Sequence, residues 1–251
     1  MAGRMAIDAR RVLLARCVCM MFVGCLMGAG ASVAAAQKAV QHNSFEIVTR
    51  MEIDVDGAPN AYGPRGKKTL DYLSNARYRA KPGGEIVGYL TDDDHPTVPI
   101  VQGPHDPFPG YYVSTTHFVD HARRNRKDPL RYVDATKINY VVLGDEAKRR
   151  GARVGDFVAV YSRRHKRAVY GIVGDSGNPS GEEGSLHLLQ ALGYAFKSGK
   201  TGSVERKEIV VRFFPGSNSG RLFFRSQASL DAAAEKRGLS RAFVASSASK
   251  R

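Results

Sequence analysis

The chain has 251 residues, of which 43% are apolar, and it carries a formal net charge of +14. That apolar content suffices for one well-packed domain and little more. The excess of positive charge points to a polyanionic partner or surface, such as nucleic acid, anionic membrane or acidic polysaccharide.

Residues 1–36 read as an export signal. Arg4, Arg10, Arg11 and Arg16 form a basic leader, an apolar small-residue stretch runs from Val18 to Ala36, and Ala34-Ala35-Ala36 fits the small-x-small rule for cleavage before Gln37. A twin-arginine variant (Arg10-Arg11-Val12-Leu13-Leu14) and a lipoprotein box ending at Cys25 are the weaker forms of the same reading. Cys17, Cys19 and Cys25 are the only cysteines, and all lie in the leader. A mature protein cut at Gln37 therefore has no disulfide, no thiol nucleophile and no thiolate metal site. The expected product is secreted or periplasmic and makes no stable membrane insertion after cleavage. For such a protein the cell envelope is the nearest source of a charged partner, and no nucleic-acid partner is expected.

From Gln37 to Glu52 the pattern around Phe45, Ile47 and Val48 suits a half-buried opening strand. Asp54-Val55-Asp56-Gly57-Ala58-Pro59 breaks it by turn chemistry. Residues 63–85 read as loop, 86–90 as a short strand, and 91–109, with five Pro and four Asp, as a long surface loop. Further strands are expected at 111–114, 140–143, 157–161, 168–174 and 209–214, with 132–135 leading into the 140–143 segment. Arg163-Arg164-His165-Lys166-Arg167 reads as a solvated hairpin tip, 176–184 as a Gly-rich loop, and Ser185–Tyr194 as a short helix. A catalytic domain over 37–225 and a small-residue tail over 226–251 complete the organisation. The class is mainly β with one or two short helices, and a barrel is its natural closure.

Six motifs occur in order. They are Asp54-Val55-Asp56-Gly57-Ala58-Pro59, Gly110-Tyr111-Tyr112-Val113-Ser114-Thr115-Thr116, Tyr132-Val133-Asp134-Ala135, Tyr140-Val141-Val142-Leu143, Val173-Gly174-Asp175 and Glu183-Gly184-Ser185. Together they resemble the fungal-type chitosanases, glycoside hydrolase family 75, from about Asp54 to Gly216. The resemblance implies a double-psi β-barrel and an inverting endo-hydrolase of β-1,4-linked glucosamine chains. It also implies a catalytic pair, Asp175 and Glu183. Asn139 and Gly144 depart from the family's prolines, and Glu182 beside Glu183 leaves the register of the second carboxylate open.

Inversion requires one protonated and one ionised carboxyl about 6.5–9.5 Å apart. Asp175 leaves a buried strand, where desolvation would suit a proton donor. Glu183 precedes a helix, where free N–H groups would suit an anion and hence a base. Asp54, Asp56, Asp120 and Asp134 are candidates to accept from ammonium and hydroxyl groups, and Asp54 and Asp56 equally suit a plain Asx turn. The chain has no Trp, so Tyr111 and Tyr112, with Tyr62 and Tyr132, are the available sugar platforms. His117 and His121 have helical metal spacing but lack an evident third ligand, and Asp54-x-Asp56-Gly57 lacks the acidic ligand that would close a calcium loop. No metal and no cofactor is expected. The expected partner is a polysaccharide, met by a monomer. A peptidoglycan-directed enzyme and a non-catalytic expansin-like binding protein are the two rival readings.

Overall fold

The computed structural model describes residues 43–76, 86–200 and 202–243. The leader and its three cysteines lie outside these residues. Among the described residues no helix is long and apolar enough to cross a membrane.

Six strands close into a barrel: β1 (Phe45–Asp54), β2 (Tyr140–Leu143), β3 (Phe157–Ser162), β4 (Arg167–Ser176), β5 (Glu183–Ser185) and β6 (Ser203–Phe213). Around the barrel the order is β1, β5, β2, β4, β3, β6. The β1–β5 and β2–β4 pairs are parallel and the remaining contacts antiparallel. The chain is therefore mainly β and a closed barrel, as its short β-branched runs lead one to expect. Three short helices accompany it: α1 (Asp145–Arg149), α2 (Leu186–Ala191) and α3 (Gln227–Lys236).

Alternation along β1 shows which way the strands face. Met51 and Ile53 are buried, while Glu52 between them is exposed. By register, Ile53, Gly184, Val141 and Val173 form one interior row across four strands. A Cβ at Gly184 would sit 2.6 Å from Met51 Sδ, so only glycine fits there. Glu52 pairs with Glu183, which places Glu183 on the outward face.

A bulge in β4 decides the position of Asp175. Val141 pairs with Val173, but Val142 pairs with Asp175, so Gly174 is the extra residue. In an unbroken register Asp175 would turn to the opposite face. A Cβ at Gly174 would lie 2.6 Å from Tyr140 Cβ, so the bulge residue has to be glycine while Tyr140 packs beneath it.

Several sequence expectations change. Residues 86–90 and 111–114 form no strand and contribute only single bridges, such as Tyr89–Ser114 and Val101–Tyr112, because the intervening Pro-rich loop interrupts any ladder. Glu183–Ser185 belongs to a strand and not to a helix start; the helix begins at Leu186, capped by Ser185 Oγ accepting from Leu188 N at 3.1 Å. β6 begins at Ser203, well before the apolar run at Ile209. Residues 226–239 are not a loose tail. α3 lies against β4 and buries Leu230 and Ala234 completely, and Tyr170 donates to the Leu239 carbonyl at 2.6 Å.

That packing makes α3 a structural part of the domain. Leu230→Ala is expected to lower the stability to chemical denaturation by about 2–4 kcal/mol, the usual result of a large-to-small change at a sealed site. An effect below about 0.5 kcal/mol would restore the picture of a dispensable tail.

Candidate active site

Asp54, Glu183 and Asp175 share the outward face of the barrel. Glu183 and Asp175 flank Val142 on its two sides: antiparallel β5 brings Glu183 opposite Val142 from the Val141–Gly184 pair, and the bulge brings Asp175 there from β4. Two strand spacings separate their backbones by about 9–10 Å. Asp54 ends β1 opposite Ser185, beside the same face.

The turn after β1 adds Asp56. Asp54 Oδ1 accepts from Asp56 N at 2.8 Å, so the Asx-turn reading of Asp54 holds, and the turn is also what folds Asp56 toward the site. Gly57 has φ +77° and donates to Ser114 Oγ at 2.9 Å; a Cβ there would collide with the Val133 carbonyl at 2.0 Å. Tyr62 donates to Asp56 Oδ1 at 2.7 Å, and the fully buried Tyr140 donates to the Asp56 carbonyl at 2.9 Å.

Both turn acids sit in like-charged surroundings. Burial pushes the Asp54 carboxyl well above its ordinary range, and the charges of Asp56, Asp175 and Glu183 push it further. Burial also raises Asp56, with Asp175 and Glu183 adding to the effect and the Tyr62 hydroxyl opposing it. Among the described residues no Lys or Arg forms an ion pair with Asp54, Asp56 or Asp175. Four acids thus converge in one groove of a chain whose overall charge is strongly positive.

Asp175 is 7% exposed, but what meets its carboxylate is polar. Oδ1 accepts from Ser176 N at 2.7 Å, from His117 N at 2.9 Å and lies 3.0 Å from His117 Nδ1. The apolar surrounding expected from a buried strand end is therefore replaced by donors gathered on one oxygen. Phe118 N bonds the Gly174 carbonyl at 3.0 Å and ties the His117 segment along the bulge. His117 was not read from the sequence as a partner of Asp175, since nothing local marks a contact across 58 positions.

The other candidates take separate places. Asp120 pairs with Arg225 and accepts from Ala122 N at 2.9 Å, and Asp134 binds Thr136 Oγ1 at 2.6 Å and Lys137 Nζ at 3.0 Å. Both carboxylates hold loops together and neither is brought to the four acids. Glu182 forms an ion pair with Arg50 at 2.7 Å. Tyr112 joins Tyr62 through an aromatic row, its ring 5.0 Å from Tyr89, which lies 5.6 Å from Tyr62. Tyr111 lies under Lys67 Nζ at 5.1 Å, and Tyr132 donates to the Arg126 carbonyl at 2.8 Å. His121 accepts from Arg221 Nε at 3.2 Å, away from His117's carboxylate. No group of three metal-ligating side chains occurs among the described residues. Neither a family model nor a curated protein matches the sequence.

The raised carboxyls set a pH dependence. An Asp raised in the folded state holds its proton more tightly there than in the unfolded chain. Its contribution to stability is full below the ordinary value of 3.8 and is lost as pH rises through the folded value. Asp54→Asn keeps the Oδ1 acceptor and removes the charge. It should therefore raise stability at pH 7, by on the order of 1 kcal/mol or about 2–4 °C in melting temperature, with the gain closing toward pH 4. A difference that stays constant across that range would contradict the account.

The His117–Asp175 contact has its own signature. The hydrogen bond to Asp175 raises the His117 imidazole above 6.5, while burial works the other way. In an NMR titration His117 should titrate above 6.5 in the parent protein and distinctly lower in Asp175→Asn, where burial is opposed only by the hydrogen bond to the Ser176 backbone. An unchanged value in the variant would show that the contact is not made in solution.

Proposed function

We propose that the protein is an exported, endo-acting glycoside hydrolase of the chitosanase type, cutting β-1,4-linked glucosamine polymers by inversion with Asp175 and Glu183 as its acid–base pair. One observation carries the reading. Asp175 and Glu183 stand on opposite sides of Val142 on one face of the barrel, with backbones about 9–10 Å apart. That spacing is compatible with the carboxyl gap of about 6.5–9.5 Å that a water-activating pair needs. One carboxyl then gives its proton to the leaving oxygen, and the other draws a proton from the water on the opposite side of the ring. His117 and Ser176 anchor Asp175 Oδ1, while Oδ2 carries none of these bonds.

The acidic groove favours a cationic glycan over an anionic one. Chitosan's ammonium groups would meet Asp54 and Asp56, with which no Lys or Arg among the described residues forms an ion pair. A peptidoglycan-directed enzyme would be served better by basic residues in these positions. The net charge of +14 does not forbid a cationic substrate, because charges beyond a Debye length of about 8–10 Å are largely screened.

Reducing-end release from chitosan, chitin and peptidoglycan tests the assignment, with chitosan expected to be the substrate cut. Asp175→Asn and Glu183→Gln should each lower turnover about 10²–10⁴-fold, and each should remove one limb of a bell-shaped pH profile. Glu182→Gln should keep most of the activity, because Glu182 is committed to Arg50. Full activity of Asp175→Asn on every glycan would end the hydrolase reading.

A further inference from the structure

The turn joining β3 to β4, Arg163–Lys166, and the first residue of β4 carry Arg163, Arg164, Lys166 and Arg167, all exposed. Arg163 N bonds the Glu208 carbonyl at 2.9 Å, which brings Arg206 and Lys207 of β6 alongside; both are exposed. Elsewhere some exposed arginines are paired, as Arg150 is with Glu146 and Arg241 with Glu235, and others, such as Arg65, Arg124 and Arg149, stand singly; what distinguishes this tip is six cations gathered together. Among the described residues none of the six cations at this tip forms an ion pair. The two acids of the same stretch are otherwise engaged, Glu205 by Ser203 Oγ and Glu208 by Tyr194 OH at 2.7 Å.

The turn is also held firmly from beneath. The buried Ser162 accepts from Lys166 N through its carbonyl at 2.8 Å and from His165 N through Oγ at 3.1 Å. His165 turns inward and packs edge-on against Tyr194, ring centres 4.5 Å apart. The one ring of the turn is thus an anchor, and what faces outward is charge.

We infer that this tip is an electrostatic docking surface for the anionic face of a lipid bilayer. A convex turn of unpaired cations suits a flat, densely charged plane. It offers no groove to hold a polysaccharide chain, and its only aromatic side chain is turned in, so it has no platform on which nucleic-acid bases could stack. It presents no apolar side chain between Arg163 and Arg167, so the contact is adsorption at the headgroups without insertion. Eight residue steps along β4 separate Arg167 from Asp175, about 26 Å of strand. That exceeds the screening length, so the basic tip and the acidic groove act as separate fields. Docking by the tip leaves the far end of β4 facing away from the bilayer.

The inference stands apart from the hydrolase reading and is tested without any activity. Co-sedimentation of the full chain is measured with vesicles of phosphatidylglycerol and phosphatidylcholine mixed 3:7 and with phosphatidylcholine alone, and the read-out is the ratio of the two partition coefficients. The variant Arg163→Gln, Arg164→Gln, Lys166→Asn, Arg167→Gln should lower that ratio by about 600-fold, since each of the four basic residues near an anionic surface contributes about fivefold. Asn is chosen at Lys166 because φ there is +55°. A variant with the same charge change elsewhere, Lys148→Gln, Arg149→Gln, Lys236→Gln, Arg241→Gln, should keep most of the preference. The inference is overturned if the two variants lose equally, which would mean net charge alone, or if the protein binds heparin or DNA through the tip while showing no preference for anionic vesicles.

Discussion

The contact between the Tyr140 ring and the bare backbone of Gly174 is the constraint from which the groove follows. Tyr140 fills the space where a side chain at 174 would lie, and the strand accommodates it by bulging. The bulge advances the β4 register by one, and that single step puts Asp175 on the face that carries Glu183. Tyr140 does a second service at its other end, where its hydroxyl fixes the Asp56 carbonyl. One buried side chain therefore sets the position of one acid directly and another through the strand.

The groove is costly for the fold. Desolvated Asp54 and Asp56 lie close to each other and to two further acids, and among the described residues neither Asp54 nor Asp56 forms an ion pair. Such local unfavourable charge is tolerated when the surrounding barrel holds the groups in place, and it is common where function requires it. The interior row of Ile53, Val141 and Val173, sealed by Gly184, supplies that support.

The sequence made some of this legible and hid the rest for physical reasons. β2, β3 and β4 announce themselves because both of their faces are buried and their residues are continuously apolar or β-branched. β5 does not, since three residues between a Gly-rich loop and a helix carry no period. The first half of β6 is hidden because it runs through Glu205, Arg206 and Lys207, which lie outside the paired register. Asp175 and Glu183 are visible as motif residues, yet Asp120 and Asp134 look as available as Asp54 and Asp56, and what sets them apart is the long-range pairing of Asp120 with Arg225 and the local pairing of Asp134 with Thr136 and Lys137. The partnership of His117 with Asp175 had no local mark.

The parallel pairing of β1 with β5 bears on the order of events when the chain first folds. Glu52 meets Glu183, and Phe45 meets Phe213, so the opening strand has no partner until the last two strands have been made. Local hairpins such as β3–β4 can form early, but the closing contacts join the two ends of the domain and belong to a slow class of topologies. Throughout synthesis, β1 is therefore an unpaired strand edge. A nascent or truncated chain has scattered acids, and the acidic cluster comes into being only with the final turn of the barrel.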